Sequence, residues 1–409
     1  MIKSVLAITG SDYAKYVGGT NKLIIAHQHL FAENDYRYVC IYPFRILDRH
    51  KENELKYWCV RVNGELDAVV SAKDIGDYLT ANGYVVEEIH IHQILNISLR
   101  HIDFLLSFFK TERIRVFLHD YQFICKNYLM LKNDESFCGT EPPGSEKCRE
   151  CRYGSQTLKH IEQIRQLFCR YQDRIEMIAP SKYVEGLYKK SFDSLRVITV
   201  PHQVPVGHYD RPVSRDEAIR VAFIGYANKT KGWEEFEEAI RDFSDEGIRY
   251  LHYGKGGESN HQVSHVTVDT SDDPNAMVDS LREGQVDFSV LWSIVPETYS
   301  YAYNECLMAG TYILANANSG NIAQSVLQDR SGSVLSGIDE LREWITDRDK
   351  LREMKRTFRM NAPMSFVDND WIIKNTGHAV ENGSRARNKR YDRFILKQVY
   401  SIKWILKGK

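Results

Sequence analysis

Short apolar segments alternate with amphipathic ones along most of this chain, and this alternation constrains the fold more than any other feature. Strands are predicted at Ser4–Thr9, Arg115–His119 and Ile175–Ala179, and helices between them, as at Asn21–Ala32. Strands that alternate with helices build parallel sheets with helices on both faces. The sequence therefore predicts an α/β protein with doubly wound sheets.

The alternation breaks once and then resumes. Pro201–Glu217 is rich in Pro, His, Arg and Asp, which is typical of an interdomain linker. The pattern restarts with a strand at Arg220–Ile224 and continues to a charged, helical segment at Gly337–Met360. A chain of 409 residues is also too long for one ordinary core. We predict a first domain over 1–203 with a cysteine-rich loop at 125–151, a second domain over 217–375, and a C-terminal helix over 376–409.

Composition limits the class of partner. Hydrophobic residues make up 43% and charged residues 27%, as in ordinary soluble proteins. A net charge of -1 argues against a surface devoted to nucleic acid. No stretch approaches the ~20 apolar residues that span a bilayer, and the N-terminal apolar run is interpreted as a buried strand rather than a signal peptide. We therefore expect a cytoplasmic protein.

The segment from Leu291 to Ala315 carries two glutamates, Glu297 and Glu305, around a predicted helix start. Helical side chains lean toward the N-terminus, so Glu305 can reach back to the mouth that Glu297 rims. Free backbone N–H groups at a helix start bind oxygen atoms, and here they are expected near Thr298, Tyr299 and Ser300. Carboxylates beside N–H groups suit a polyhydroxyl ligand with phosphate, such as a nucleotide sugar.

A second candidate loop follows the strand that ends at Gly225. It contains Tyr226 and Lys229, and Lys231 introduces the next helix. A lysine beside free N–H groups, at the carboxyl end of a parallel strand, makes a good pyrophosphate site. The alternative is a lysine that is simply solvated.

Two further candidates lie in the first domain. Gly18 and Gly19 follow a strand, with Thr20 as the expected helix N-cap, and they suit either close approach to a ligand or only a tight turn. His119 closes a strand, so it is expected to face the crevice of the sheet. The alternating His90 and His92 are interpreted as mainly structural.

Four cysteines fall on an irregular loop rich in Gly, Pro and charge, which suits a tetrahedral structural zinc site. The open alternatives are free thiols or a redox pair, because only one C-x2-C pair is present. The candidate ligands are Cys125, Cys138, Cys148 and Cys151. The other four, expected in the core, are Cys40, Cys59, Cys169 and Cys306.

On these residues the chain resembles retaining glycosyltransferase family 4, whose members have the GT-B fold: two doubly wound Rossmann-like domains that face each other across a cleft. The E-x7-E segment from Glu297 to Glu305 carries the resemblance most specifically, and the similarity extends from about residue 4 to residue 335. The other matching motifs are Gly18-Gly19, His119, Phe223–Gly225 through Lys231-Gly232, Ala309-Gly310-Thr311 and Asn318–Asn321.

The resemblance implies a role for each motif. Glu305 would hold the ribose hydroxyls and Lys231 the diphosphate. Glu297, with the backbone of 298–300, would hold the transferred sugar near His119. The family usually has arginine directly after the glycine of the second loop, where this chain has Tyr226. A phenol lacks the permanent charge of arginine, so Lys229 substitutes, the donor is held more weakly, or activity is lost.

The expected activity is hexosyl transfer with retention, from a UDP- or GDP-linked sugar to a hydroxyl of a glycan or lipid-linked saccharide. No cofactor is expected to be needed for catalysis. A non-catalytic nucleotide-sugar-binding scaffold and a sugar-nucleotide epimerase are the alternatives. The tail is expected to cross back onto the first domain, as in this fold, or to touch anionic lipid at the inner face of the membrane through its lysines. These are Lys397, Lys403, Lys407 and Lys409.

Overall fold

The first domain is built on an eight-stranded sheet. The computed structural model describes residues 1–15, 18–44, 55–211, 217–257, 260–270 and 273–376. The strands of this sheet are β1 (Ile2–Ile8), β2 (Arg37–Pro43), β3 (Tyr57–Val62), β4 (Glu65–Ser71), β5 (Tyr84–Ile91), β6 (Arg113–Phe117), β9 (Ile175–Ala179) and β10 (Arg196–Thr199). Their spatial order is β10-β9-β6-β5-β1-β2-β3-β4, and only the β2–β3 and β3–β4 pairs are antiparallel.

Helices cover both faces of this sheet, and the cysteine-rich loop forms a small insertion. The insertion contains a two-stranded hairpin, β7 (Leu131–Lys132) with β8 (Ser136–Phe137). The helices are α1 (Gly19–Glu33), α2 (Ile75–Ala81), α3 (Leu99–Phe109), α4 (Glu146–Arg149), α5 (Gly154–Cys169) and α6 (Lys182–Ser191).

The second domain contains a six-stranded, fully parallel sheet. Its strands are β12 (Ile219–Ile224), β13 (Ile248–Tyr253), β14 (Val263–Val266), β15 (Phe288–Leu291), β16 (Tyr312–Asn316) and β17 (Gly332–Leu335). The spatial order is β14-β13-β12-β15-β16-β17, the 3-2-1-4-5-6 order of a doubly wound dinucleotide-binding fold. The helices are α7 (Trp233–Ile240), α8 (Ala276–Glu283), α9 (Tyr301–Ala309), α10 (Asn321–Asp329), α11 (Ile338–Thr346) and α12 (Arg348–Thr357).

The linker between the domains is itself a strand. β11 (Gln203–Asp210) pairs antiparallel with β18 (Asn361–Asp368), which the chain reaches after completing the second domain. The chain then returns to the first domain through α13 (Trp371–Lys374), where Ile372 packs with Val5, Leu23 and Phe117. Helix α13, which packs on the first domain, lies within the range 217–375 that was expected for the second domain. Residues 377–409, which include the tail lysines, lie outside the described residues.

Buried strands are apolar on both sides, which explains the continuous hydrophobic runs in the sequence. In β12, Val221 and Phe223 face one core while Ala222 and Ile224 face the other. The same alternation divides β1 between the two cores of the first domain. The predicted doubly wound architecture is therefore confirmed.

The charged segment Gly337–Met360 is helical, as expected. It contains two helices, α11 and α12, and the Asp347 side chain caps the second by accepting from the N–H of Lys350 at 3.0 Å. One expectation about local structure was wrong, since Cys169 is exposed rather than part of the core. Among the described residues, no helix is both long enough and apolar enough to cross a bilayer.

Candidate functional site

The candidate site lies where loops from both sheets meet. In the second domain these loops follow β12 and β15, the two strands at which the strand order reverses, and ligands bind at such switch points in open α/β sheets. In the first domain they follow β1 and β6. The structure thus brings together the segments around Gly18, His119, Lys231 and Glu297.

The loop after β12 holds Lys231 on a single 3-10 turn, Lys229–Lys231. The Asn228 side chain accepts from the N–H of Lys231 at 3.0 Å and fixes the turn. Gly232 follows with φ of 78°, and a Cβ there would lie 2.2 Å from the carbonyl oxygen of Trp292. Only glycine therefore lets the loops after β12 and β15 pack this closely.

Glu297 and Lys231 form an ion pair between these two loops. Lys231 Nζ contacts Glu297 Oε1, and Ser293 Oγ donates to the same oxygen at 3.0 Å. The side chains are 41% and 18% exposed, respectively, so both remain open to a ligand. The two loops therefore present an accessible cation directly beside an accessible carboxylate.

The backbone of Glu297 is fixed by the next loop of the sheet. Its N–H donates to Ser319 O at 3.0 Å, and its carbonyl accepts from the N–H of Asn321 at 2.9 Å. These two bonds form a parallel bridge to Gly320, whose φ is 65°. The glutamate is therefore held by backbone while its side chain stays partly exposed.

Helix α9 begins later than expected. Tyr301 is its first residue, and Ser300 is the N-cap, whose Oγ accepts from the N–H of Tyr303 at 3.1 Å. Thr298 and Tyr299 therefore precede the helix instead of forming its first turn. The Tyr299 hydroxyl accepts from the N–H of Gln203 at 3.2 Å, which ties the segment before α9 to the linker strand.

Glu305 lies inside α9, as expected, and faces the first domain. Burial raises the pKa of its carboxyl, and the nearby Lys22 ammonium of α1 opposes this shift. Lys22 Nζ also lies 5.1 Å from the centre of the Tyr301 ring. A carboxylate in this position can accept hydrogen bonds from hydroxyl groups in a partly dry environment.

The glycine turn at the start of α1 lies against α9. The N-cap of α1 is Gly18 rather than the expected Thr20. A Cβ on Gly19 would lie 3.6 Å from the Tyr301 ring, so the first domain approaches α9 closely at this point. Gly19 thus lies beside the first residue of α9, although it stands more than 280 positions earlier in the sequence.

His119 is joined to the second domain through its backbone. Thr298 Oγ1 donates to the carbonyl oxygen of His119 at 2.7 Å, and Ser181 Oγ donates to the carbonyl oxygen of Thr298 at 2.8 Å. Two hydrogen bonds therefore connect the domains directly beside Glu297.

The ring of His119 belongs to a hydrogen-bonded chain. Its Nε2 lies 2.9 Å from His92 Nδ1, and His92 Nε2 lies 2.9 Å from the Tyr38 hydroxyl. Burial raises the pKa of Tyr38 well above 10, so this phenol keeps its proton and can donate it. We assign the His92 proton to Nδ1 and, in consequence, the His119 proton to Nδ1. Burial lowers the pKa of His119 to about 3, so its ring is neutral.

His27, His90 and His92 form a buried cluster next to this chain. In the described part of the protein, they are the one group of three or more His, Cys, Asp or Glu residues whose ligand atoms lie within 4.8 Å of one another. His90 contacts Glu88 at 3.3 Å, while both ring nitrogens of His92 already have partners. The four cysteines predicted as zinc ligands do not form such a group.

Tyr226 occupies the position where the resembled family has arginine. Its side chain is 56% exposed, and Lys229, two residues before Lys231, is also exposed. Gly225 directly before it has φ of 112°, which glycine alone adopts readily. Of these loop residues, Lys231 is the one that pairs with Glu297.

Four participants were missed at the sequence level: Ser181, Ser293, Lys22 and the side chain of Thr298. Ser181 caps α6 and could have been found as an N-cap, but nothing local indicates its bond to Thr298. Lys22 stands one turn into α1 and resembles any solvated helix lysine. Their partners are set by contacts between domains.

Comparison with known proteins places the fold. No family model and no curated protein matches the sequence. Among solved structures, sucrose-phosphate synthase from Thermosynechococcus elongatus is similar with a TM-score of 0.55 at 13% identity, over 87% of this chain and 92% of that one. HepE from Anabaena in complex with UDP-glucose is similar with a TM-score of 0.52 at 10% identity, over 86% of this chain and 91% of that one.

A third similar structure is the catalytic domain of starch synthase IV from Arabidopsis thaliana, bound to ADP and acarbose. Its TM-score is 0.51 at 11% identity, over 91% of this chain and 97% of that one. Together these similarities and the two doubly wound sheets confirm the GT-B fold, with two Rossmann-like domains.

Proposed function

We propose that this protein is a retaining glycosyltransferase. It would move a sugar from a nucleotide diphosphate sugar, with UDP or GDP as the carrier, to a hydroxyl of a glycan or lipid-linked saccharide. The bond from the anomeric carbon to the diphosphate oxygen breaks and a bond to the acceptor oxygen forms. The acceptor proton and the nucleoside diphosphate leave.

One observation carries the proposal. The Lys231–Glu297 ion pair lies on second-domain loops, and the next residue, Thr298, bonds to His119 of the first domain. A cation, a carboxylate and a neutral imidazole are thereby assembled at the boundary of two Rossmann-like domains. The similar structures with UDP-glucose and with ADP support a nucleotide sugar as the donor.

The roles of the residues follow from their surroundings. Lys231 would leave Glu297 for the diphosphate and stabilise the negative charge that develops on the leaving group. Glu297 would then accept from hydroxyls of the transferred sugar, and Glu305 from those of the ribose. His119, with its proton on Nδ1, would donate a hydrogen bond near the reacting carbon. We assign no cofactor to this step.

The proposal extends to the acceptor and the location. Polysaccharide or cell-surface glycan synthesis, at the cytoplasmic face of a membrane, would provide lipid-linked or glycan hydroxyls. The basic tail beyond residue 376 would contribute peripheral contact with anionic lipid.

Binding of the donor is tested first, by thermal unfolding with UDP-, GDP- and ADP-linked sugars. A ligand that binds only the folded state raises the unfolding temperature. At a ligand concentration a hundred times the Kd, the folded state is stabilised by about 2.7 kcal/mol. The donor that gives a shift is then used for turnover, and NMR of the product determines the anomeric configuration. An inverted product would contradict the retaining mechanism.

The role of Glu305 is tested by Glu305→Ala and Glu305→Gln. Glu305→Ala should abolish donor hydrolysis and transfer, since a buried acceptor of hydroxyl groups is removed, while the protein stays folded. Glu283→Ala, at an exposed position on α8, is the matched control and should retain full turnover. Unchanged turnover in Glu305→Ala would refute the role assigned to Glu305, and absence of turnover in the unaltered chain would refute the enzyme proposal.

A non-catalytic nucleotide-sugar-binding scaffold is the second candidate, and Tyr226 is the observation that favours it. An exposed phenol replaces the charged clamp expected after Gly225. This candidate predicts a thermal shift with a donor but no transfer to any acceptor. Tyr226→Arg should then tighten binding of the donor without creating turnover, whereas in an active enzyme it should also change kcat/KM. Product analysis without acceptor separates a third alternative, an epimerase.

A further inference from the structure

The insertion after β7 has no hydrophobic core of its own. Every residue from Lys132 to Tyr153 is exposed or only partly buried. Its regular structure is limited to the β7–β8 hairpin and the single turn of α4. A segment of this length without a core needs another source of stability, such as a cross-link or a metal ion.

The backbone of the insertion is strained at one position. Thr140 has φ of 58°, in the left-handed region that a β-branched residue adopts only at a cost. Asn133 and Asp134, at the turn of the β7–β8 hairpin, also have positive φ, but Asn and Asp adopt this region readily. Local preference therefore explains the hairpin turn but not the conformation of Thr140.

Four cysteines line a single cavity between the insertion and the rest of the first domain. The cavity has a volume of about 360 Å³ and is bounded by the hairpin, α4, the start of α5 and the end of α6. All four are free and partly buried, and Cys125 and Cys138 pack against the core of the first domain. The cysteines in its wall are Cys125, Cys138, Cys148 and Cys151.

We propose that the insertion binds one zinc ion through these four cysteines, which we call the cysteine quartet. The four thiols lose their protons on binding, and four thiolates around Zn²⁺ give the centre a net charge of −2. Three lysines lie in the cavity wall near this charge: Lys132, Lys147 and Lys190. Lys132 is paired with Glu150 and Lys147 with Glu141, each at 2.8 Å.

Binding of zinc would close the cavity. Zn–S bonds of about 2.3 Å require sulfur atoms about 3.8 Å apart in a tetrahedron, closer than the quartet stands here. Metal binding is often coupled to folding of the segment that supplies the ligands. The Cys148–Cys151 turn is already fixed, because Cys151 N–H donates to Cys148 O at 3.2 Å and Gly154 packs directly on that carbonyl.

The histidine cluster is a poorer site for a metal than the quartet. Both nitrogens of His92 are bonded, to Tyr38 and to His119, so a metal there would have to break one of these bonds. Among the quartet, Cys125 contacts the Thr157 hydroxyl at 3.8 Å, and the Cys138 thiol has backbone hydrogen bonds with Thr140 and Glu141. Bonds of this kind to backbone can persist when a thiolate binds a metal.

The zinc site would also support the proposed active site. Cys125 stands six residues after His119, and the intervening backbone is tied down where Asp120 O accepts from the Tyr188 hydroxyl at 2.7 Å. A metal at Cys125 would fix the other end of this connection. Loss of the metal should therefore increase the motion of His119.

Elemental analysis tests the proposal on the full chain, purified without added metal. We expect about one zinc per chain, and single Cys→Ser changes in the quartet should each lose it. The matched control is Cys169→Ser, which removes an exposed thiol outside the quartet and should keep the metal. The readout needs no substrate, so it is independent of whether the protein is a glycosyltransferase.

A second measurement covers variants that fail to fold. Cobalt added to the metal-free wild-type chain should give the thiolate charge-transfer and d–d absorption bands of a tetrahedral sulfur site. A metal-free chain with an unchanged unfolding temperature and no such bands would overturn the proposal. The sequence has eight cysteines. If two thiols fewer can be titrated, because Cys148 and Cys151 form a disulfide, the proposal is overturned in favour of a redox pair.

Discussion

The hydrogen bond from Thr298 to His119 can be removed with little change of shape. Thr298→Val keeps the volume of the side chain and deletes the hydroxyl that donates to His119 O. The Ser181 bond to the carbonyl of residue 298 is retained in this variant, because it involves backbone. Thr298→Ser is the matched control, since it keeps the donor.

The size of the effect follows from the type of bond. A neutral intramolecular hydrogen bond of good geometry contributes about 0.5–1.5 kcal/mol net, and this bond is 2.7 Å long. With about 1.36 kcal/mol for each factor of ten, turnover should fall roughly 2- to 13-fold if the bond aligns the domains for catalysis. The unfolding temperature should fall by about 2–4 °C per kcal/mol lost, as for domains of 150–250 residues.

Two assays separate alignment from general stability. Steady-state kinetics with the donor found by thermal shift give kcat/KM, and calorimetry gives the unfolding temperature of the same preparations. We expect Thr298→Val to be impaired in both and Thr298→Ser in neither. If Thr298→Val matches Thr298→Ser in both assays, the interdomain bond does not hold His119 in place.

Two other predictions concern the buried imidazoles. Tyr38→Phe removes the donor to His92 Nε2, so nitrogen NMR of labelled histidine should show the His119 proton shifting from Nδ1 toward Nε2. Tyr36→Phe is the control and should leave the signal unchanged. If the tautomer of His119 is unaltered in Tyr38→Phe, the assignment is refuted. Burial lowers the pKa of seven histidines, so the unfolded chain binds more protons below pH 6.5 and stability should fall from there toward about pH 3. Each contributes a slope of up to about 1.36 kcal/mol per pH unit in urea unfolding, and stability that stays constant between pH 6.5 and 4.5 would contradict this. The seven are His27, His90, His92, His101, His119, His160 and His202.

Much of the fold was predictable because hydrophobic periodicity is local. β9 begins and ends where the sequence indicated. The antiparallel hairpin of β3 and β4 was missed, although Asn63-Gly64 at its turn is a strong hairpin signal and both residues have positive φ. Attention to that dipeptide would have found it.

The linker strand could not be predicted in the same way. β11 is largely exposed and contains a proline and a glycine, so its own composition does not favour a strand. It becomes one because β18 supplies hydrogen-bonding partners more than 150 positions later. Pairing over such a separation depends on how the second domain folds.

The sequence by itself determined the two doubly wound sheets, the placement of Glu297 before α9 and of Glu305 within it, and the loop that carries Lys231. These features depend on residues near one another in the chain. Only the tertiary structure decided that Lys231 pairs with Glu297, that Lys22 faces Glu305 and that Thr298 bonds to His119. The last contact joins residues 179 positions apart. Such contacts depend on the packing of two domains, which no local pattern specifies.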